Sequence, residues 1–222
     1  MDVRFHMGSN MIVAGPTDAG KSFFVVSLIR NKRELFDNPP DRVYWYYGVH
    51  TAMDDDIKDL GVTMHKGIPD DFEKLRPNSM IVIDDLMEET KKSEAITKLF
   101  TGLAHHKPFF VVFIIQNLFF QSKEMRTRSL NAQYFVLFKN PRDARQINYL
   151  GRQIYPNKAR YMTKIYNDAT ISPHSYLLVD LHKKTSELVR LRTRVMPYEQ
   201  VGTTLAMPTY VDKQAFDEHG CL

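Results

Sequence analysis

The amino-acid sequence predicts an α/β fold in which helices flank a mainly parallel central sheet. Uninterrupted apolar runs recur along the chain, and such runs are typical of strands buried on both faces of a parallel sheet. Segments with the apolar spacing of amphipathic helices alternate with these runs, which is the element order of α/β domains. The chain has 222 residues, of which 43% are hydrophobic, so one sizeable core with extensions can form.

The predicted elements follow one another in a regular order. Strands are predicted at Asn10–Ala14, Arg42–Tyr47, 62–65, 80–83, Phe109–Ile115 and Tyr134–Phe138. Helices or helical turns are predicted at residues 21–31, 70–75, 90–105, 143–154 and 157–166. An antiparallel pair of strands is predicted at residues 175–181 and 188–192. We assign residues 1–196 to one domain and residues 197–222 to a C-terminal tail.

Composition excludes several classes of protein. The longest apolar run, Phe109–Ile115, is far shorter than the roughly 20 residues that a membrane-spanning helix needs. Residues 1–10 are polar and lack the apolar region of a secretory signal, so we expect an intracellular protein without membrane partners. Cys221 is the single cysteine, which excludes a disulfide framework and a cysteine-based zinc site within one chain.

Charge is distributed unevenly along the chain. The net charge is only +4, but acidic residues concentrate between residues 54 and 89, whereas residues 123–164 are strongly basic. A basic stretch of this kind is either a solvated face or a surface that contacts a polyanion. Both interpretations stay open on the sequence alone.

The segment after the first predicted strand fits the Walker A pattern G-x-x-x-x-G-K-[ST] without a gap. Its glycines allow the backbone N–H groups to point at phosphate oxygens, and the positive end of the following helix adds to this attraction. Lys21 is then placed to bridge the β- and γ-phosphates of ATP, and Ser22 to ligate Mg²⁺. An ordinary strand-to-helix turn is the alternative. The predicted nucleotide-binding residues are Gly15, Pro16, Thr17, Asp18, Ala19, Gly20, Lys21 and Ser22.

Polar side chains follow two of the apolar runs. Asp84 and Asp85 end the run at residues 80–83, and ligands bind at the carboxyl ends of strands in open α/β sheets. Asp84 would hold Mg²⁺ through water, and Asp85 would polarise the water that attacks the γ-phosphate. Gln116 follows the next run and is a candidate sensor of the γ-phosphate. Capping of the neighbouring backbone is the alternative role for all three side chains.

Four blocks of the sequence resemble the genome-packaging ATPases of the FtsK/HerA superfamily. They are GPTDAGKS, MIVIDD, LAHHKPFFVVFIIQNLFF and RTRSLNAQYFVLFKNPRDARQI. The likeness covers about residues 11–194 and is strongest to the packaging ATPases of Polinton or Maverick elements, adintoviruses and virophages. It implies a RecA/FtsK/HerA-like P-loop NTPase that forms a homo-oligomeric ring and drives double-stranded DNA into a preformed capsid. Sequence-neutral DNA binding, contacts with capsid or portal proteins, and a location in the host nucleus or the virion would follow.

The resemblance also implies roles for individual residues. Lys21 and Ser22 match the phosphate-loop residues, Asp84 the metal-binding acid, Asp85 the catalytic acid and Gln116 the sensor amide. Many members have glutamate at the position of Asp85. An arginine that acts on the neighbouring subunit's nucleotide would be Arg126 or Arg128, and the sequence does not choose between them. Two other classes stay open, a P-loop kinase or phosphotransferase and a nucleotide-gated ATPase without a nucleic-acid track.

Overall fold

The computed structural model of the chain describes residues 2–48, 57–84, 86, 93–100, 107–118, 123–156 and 159–199. Within these ranges the chain builds an eight-stranded sheet in the order β3-β2-β4-β5-β1-β6-β7-β8. The strands are β1 (Asn10–Ala14), β2 (Arg42–Tyr47), β3 (Thr63–Lys66), β4 (Ser79–Asp84), β5 (Phe109–Ile115), β6 (Tyr134–Phe138), β7 (Tyr176–Asp180) and β8 (Leu191–Arg192). The helices are α1 (Lys21–Arg30), α2 (Lys32–Leu35), α3 (Glu94–Lys98), α4 (Lys123–Leu130), α5 (Ala144–Ile154) and α6 (Ala159–Ala169).

The sheet is parallel from β3 through β6 and antiparallel beyond it. Strand β1 pairs with β5 on one side and with β6 on the other, both in parallel. Strand β7 runs antiparallel to β6 and pairs with β8 in the same sense. The predicted α/β fold with a mainly parallel sheet is therefore confirmed.

Successive residues of each central strand point to opposite faces of the sheet and build two cores. In β1, Ile12 packs in the core beneath α3, α5 and α6, whereas Val13 packs in the core beneath α1 and α2. Because both faces are covered, the strands are apolar throughout, which is why they stand out as solid runs in the sequence. None of the helices in the described ranges is long and apolar enough to span a membrane.

The predicted elements and the structure differ at several places. Residues 70–75 form turns rather than a helix, and α2 and α4 have no counterparts among the predicted helices. The strand predicted at residues 188–192 is described only as Leu191–Arg192, after a 3-10 helix at Glu187–Val189. The helix predicted at residues 157–166 is described as Ala159–Ala169, so it continues beyond its expected end. Of the predicted helix at residues 90–105, the described part is α3, whose N-terminus is capped by the Ser93 hydroxyl accepting from the Ile96 N–H. Residues 90–92 and 101–105 lie outside the described residues.

The chain beyond the predicted domain boundary packs on the domain. The Tyr198 hydroxyl donates to the Ser27 hydroxyl of α1 at 3.0 Å, and the Glu199 carboxylate accepts from the Tyr176 hydroxyl at 2.6 Å. Residues 198 and 199 therefore contact the part of the chain that is assigned to the domain, and the boundary at residue 196 stays a prediction. Residues 200–222 lie outside the described part, so the existence of a separate tail stays a prediction.

A buried ion pair fastens the antiparallel end of the sheet. Arg192 and Asp180 are each 1% exposed, and the guanidinium donates to the carboxylate and to the Val3 carbonyl oxygen. The Asp180 carboxylate also accepts from the Thr185 hydroxyl at 2.9 Å. These bonds tie the N-terminal segment, β7 and β8 together at the amino edge of the parallel strands.

Removal of Asp180 should therefore destabilise the fold strongly. Asp180→Ala leaves the Arg192 guanidinium buried without its counter-charge, so the free energy of unfolding should fall by about 3–5 kcal/mol in urea titrations. The double variant Asp180→Leu with Arg192→Met removes both charges and should regain most of that loss. A loss below about 1 kcal/mol in Asp180→Ala would contradict the importance of the pair.

Candidate functional site

The loop between β1 and α1 needs glycine at both ends. A Cβ on Gly15 would lie 2.6 Å from the Cβ of Phe138 in the neighbouring strand β6, which is closer than two such atoms can approach. Gly20 has φ of 102°, in the left-handed region that side chains disfavour. Asp18 also has a positive φ, of 59°. The loop is thus wrapped tightly against β6, with its backbone turned towards the start of α1. We name residues 15–22 the phosphate loop.

Lys21 and Ser22 lie in the first turn of α1. The Lys21 ammonium group donates to the Pro16 carbonyl oxygen at 2.8 Å, so the cation is held across the phosphate loop. A helix N-terminus carries partial positive charge and unpaired N–H donors. Together these features make the mouth of the loop a place for a polyanionic ligand such as the phosphates of a nucleotide.

Sheet order brings the predicted acid and sensor residues to the same edge as the phosphate loop. Strand β5 lies between β1 and β4, with Ile115 opposite Ala14 and Ile114 opposite Asp84. The Gly15 N–H donates to the Ile115 carbonyl oxygen at 3.2 Å, so Gln116 follows directly beside the loop. Gln116 is exposed at this edge. Asp85 lies outside the described residues.

The residues that would hold Mg²⁺ suit a hard cation. The Ser22 hydroxyl and the Asp84 carboxylate offer oxygen donors at one edge of the sheet, and Mg²⁺ is commonly held by one or two protein oxygens together with phosphates and waters. Within the described ranges, no group of three or more histidine, cysteine, aspartate or glutamate side chains could hold a metal by itself.

A polar network that sequence reasoning missed links the strands on either side of β1. The Asn140 amide donates to the Asn117 side-chain oxygen at 3.1 Å, and the Asn140 N–H donates to the Tyr166 hydroxyl at 2.8 Å. The same hydroxyl donates to the Phe138 carbonyl oxygen at 2.9 Å. The ends of β5, β6 and α6 are thus joined around the phosphate loop. The signal for this network in the sequence is an asparagine just beyond the end of β5 and another just beyond the end of β6.

The structure describes the side chain of one of the two candidate arginines. Arg128 of α4 is only 2% exposed, and its guanidinium carbon lies 5.4 Å from the centre of the Phe113 ring. The guanidinium of Arg128 thus packs against its own chain, and a role in trans for either arginine stays a prediction. Arg126 also lies in α4, and its side chain is outside the described part.

A large cavity adjoins the other side of the phosphate loop. Its volume is about 850 Å³, and it is an open cavity lined by the start of α1, residues 171–175 and the segment after β8. Tyr176 lies in its wall, where burial and then the Glu199 carboxylate raise the pKa of the tyrosine hydroxyl well above its usual value. That hydroxyl therefore stays protonated and donates to Glu199. No sequence motif marks this cavity.

Comparisons with known proteins bear on the fold. No protein-family model matches the chain, and no curated protein sequence matches it. Among solved structures, the chain is similar to the genome packaging NTPase B204 from Sulfolobus turreted icosahedral virus 2 in complex with ATP-gammaS. The TM-score is 0.50 at 14% identity, over 84% of this chain and 96% of that chain. An arginine-to-alanine variant of RuvB from Thermotoga maritima gives a TM-score of 0.37 at 13% identity, over 75% of this chain and 51% of that one.

The similarity to the packaging NTPase and the geometry of the phosphate loop define the class of fold. A parallel sheet, a glycine-bounded loop after β1 and a lysine at the start of α1 together make this the fold of P-loop NTPases.

Substitution of Gly15 should disturb the phosphate loop specifically. In Gly15→Ala the added methyl group would clash with Phe138, so we expect a loss of about 1–3 kcal/mol in stability and a fall in ATP affinity. Gly61→Ala is the control for the added methyl group, because nothing lies within 4 Å of its added Cβ and its cost comes from the positive φ of Gly61, 72°. The control should cost about 1–2 kcal/mol and leave ATP affinity unchanged. Calorimetric titration that gives equal ATP affinities for Gly15→Ala and the unmodified chain would show that the close approach to Phe138 does not shape the phosphate loop.

Proposed function

We propose that the chain is an ATP-driven DNA-packaging motor, which hydrolyses ATP to translocate double-stranded viral DNA into a preformed capsid. The observation that carries the ATPase part is the placement of β5 between β1 and β4. It brings Lys21, Asp84 and Gln116 to one edge of the sheet. The motor part is supported by the four sequence blocks that resemble packaging ATPases, which also favour an origin among Polinton, adintovirus or virophage elements.

In the proposed reaction, the chain binds and orients the triphosphate and the attacking water. The N–H groups of the phosphate loop and the N-terminus of α1 bind the phosphates, and Lys21 exchanges its bond to the Pro16 carbonyl oxygen for phosphate oxygens. Gln116 orients the water beside the γ-phosphate, and Asp85 accepts its proton. When bound, Mg²⁺ held by Ser22 and by Asp84 through water would neutralise phosphate charge.

An exposed basic face supports contact with DNA. Helices α5 and α6 contact each other and bury Ile147, Leu150 and Ile165 in the core, whereas other side chains of both helices are exposed. This α5–α6 basic face carries exposed Arg145, Arg152, Arg160 and Lys164. Such a face suits sequence-neutral contacts with DNA phosphates, which a motor that moves along DNA requires.

Self-association into a ring would complete the active site. We infer that Arg126, rather than the buried Arg128, reaches the nucleotide of the neighbouring subunit and neutralises charge on the transferred phosphoryl group. Capsid or portal proteins would be further partners. As a packaging motor the protein would act where capsids assemble, in the host nucleus or with the virion.

Hydrolysis of ATP with and without double-stranded DNA tests this function. We expect phosphate release that DNA stimulates, and stimulation that declines as salt rises, because each phosphate contact releases counterions from DNA. Lys21→Ala should abolish turnover, since it removes the cation that contacts the γ-phosphate. A phosphorylated acceptor in place of free phosphate would instead identify a kinase, and turnover indifferent to DNA would favour a nucleotide-gated ATPase.

The α5–α6 basic face provides a sharper form of the same experiment. Arg152→Ala with Lys164→Ala should lower DNA affinity and reduce the slope of log affinity against log salt by about 2. Arg33→Ala with Lys74→Ala removes two exposed cations elsewhere and should leave that slope unchanged. Equal slopes for the two double variants would exclude this face as the DNA contact.

Mixing of inactive subunits tests the shared site. Arg126→Ala chains should regain hydrolysis when mixed with Lys21→Ala chains, because a ring of both kinds contains interfaces with an intact phosphate loop and an intact arginine. The matched control is Arg142→Ala, an exposed arginine outside α4, which should keep its activity without mixing. Rings that assemble from both inactive chains and show no recovered turnover would contradict a role for Arg126 in trans.

A further inference from the structure

Helix α6 connects the α5–α6 basic face with the core. Arg160 and Lys164 are exposed on that face, whereas Tyr166 is only 5% exposed and packs in the core. Residues two apart on a helix do not face the same way, so Lys164 and Tyr166 lie on different sides of α6. Because a helix is hydrogen-bonded along its length, a ligand that holds one side of it also holds the other.

The Tyr166 hydroxyl fixes the end of β6. It donates to the Phe138 carbonyl oxygen at 2.9 Å and accepts from the Asn140 N–H at 2.8 Å, and both bonds are buried. Phe138 is also the residue whose Cβ lies against Gly15. The hydroxyl therefore holds the part of β6 on which the phosphate loop packs.

The Asn140 side chain continues this contact to the segment after β5. Its oxygen accepts from the Arg142 N–H at 3.1 Å, and its nitrogen donates to the Asn117 side-chain oxygen, also at 3.1 Å. Because Asn140 is only 5% exposed and bonded at both ends of its amide, it has one orientation. Asn117 directly follows Gln116, the candidate sensor of the γ-phosphate.

We name the side chains of Tyr166, Asn140 and Asn117 the Asn–Tyr bridge. The bridge begins on α6 and reaches two parts of the nucleotide site, the strand end beneath the phosphate loop and the residue beside Gln116. Buried polar groups that lose their partners are costly, so a movement of α6 is resisted unless the ends of β6 and β5 move with it. The bridge therefore ties the position of α6 to the shape of the nucleotide site.

We propose that Tyr166 and Asn140 are positioning residues that couple DNA on the α5–α6 basic face to the nucleotide on the phosphate loop. The inference rests on the proposed function and adds how the two ligands affect each other. DNA phosphates on Arg160 and Lys164 hold α6, and the bridge then holds Gln116 and the phosphate loop in place for the nucleotide. DNA thus strengthens ATP binding, and ATP must strengthen DNA binding by the same factor.

Calorimetric titration with a slowly hydrolysed ATP analogue and Mg²⁺ measures this coupling. The coupling factor is the ratio of the analogue's affinities with and without saturating duplex DNA of random sequence. We expect a factor of about five or more for the unmodified chain and of about one for Tyr166→Phe, which removes the hydroxyl and keeps the buried ring. A purely structural role for Tyr166 would weaken both affinities equally and leave the factor unchanged.

Tyr161→Phe is the matched control, because it removes a hydroxyl from the same helix. Tyr161 packs edge to face on Tyr155, with ring centres 6.0 Å apart, and is not part of the Asn–Tyr bridge. This variant should keep the full coupling factor. Equal loss of coupling in Tyr161→Phe and Tyr166→Phe would overturn the proposal, because any change in α6 would then have the same effect.

Asn117→Ala breaks the other end of the bridge without changing the core beneath α6. It should also lower the coupling factor, and it tests the proposal even where Tyr166→Phe does not fold. The double variant should lose no more coupling than Tyr166→Phe alone, because both substitutions interrupt one bridge. Losses that multiply in the double variant, or a full factor in either single variant, would overturn the proposal.

The unmodified chain separates failure of this inference from failure of the proposed function. A chain that binds the ATP analogue and no DNA at any salt concentration would overturn the proposed function, and the coupling with it. A chain that binds both ligands with a factor of one would overturn only the coupling. The reciprocal titration, DNA with and without the analogue, must give the same factor in every variant.

Discussion

The parallel pairing of β1 with β5 on one side and β6 on the other is the constraint on which the site depends. It seats Gly15 against Phe138, at a distance that excludes any side chain, and it brings the Gly15 N–H to the Ile115 carbonyl oxygen. The phosphate loop is therefore positioned by two neighbouring strands before α1 begins. The hydrogen bond from the Asn140 amide to the Asn117 side-chain oxygen also joins the segments that follow β5 and β6.

Much of the fold could be predicted because its central strands are buried on both faces. Strands β1, β2, β5 and β6 have the predicted bounds, since an apolar run that ends at a polar residue marks both the strand and its end. Helix α4 was not predicted, because its sequence, KEMRTRSL, has too few apolar residues to show the spacing of an amphipathic helix. Hydrophobic periodicity locates a strand but does not show which strand pairs with it. The antiparallel pairing of β7 with β6 is therefore known only from the structure.

The candidate site was predictable where its residues are close in sequence. The phosphate loop is one contiguous segment whose spacing follows from its chemistry, whereas the position of Gln116 beside it depends on strand order. The burial of Arg128 depends on Phe113, a residue of another element, so no local pattern could distinguish it from Arg126. The cavity is assembled from α1, the residues before β7 and those after β8, and only the sheet topology brings these segments together.

The two edges of the sheet differ in how far their polar groups are buried. The amino edge holds the buried pair of Arg192 and Asp180, which joins the first residues of the chain to its last described strand. The carboxyl edge instead carries exposed Gln116 and the open cavity beside Gly20. The paired strands between the two edges fix the position of the carboxyl edge relative to the packed amino edge. Accessible apolar and charged groups at the carboxyl edge are therefore held on a rigid support.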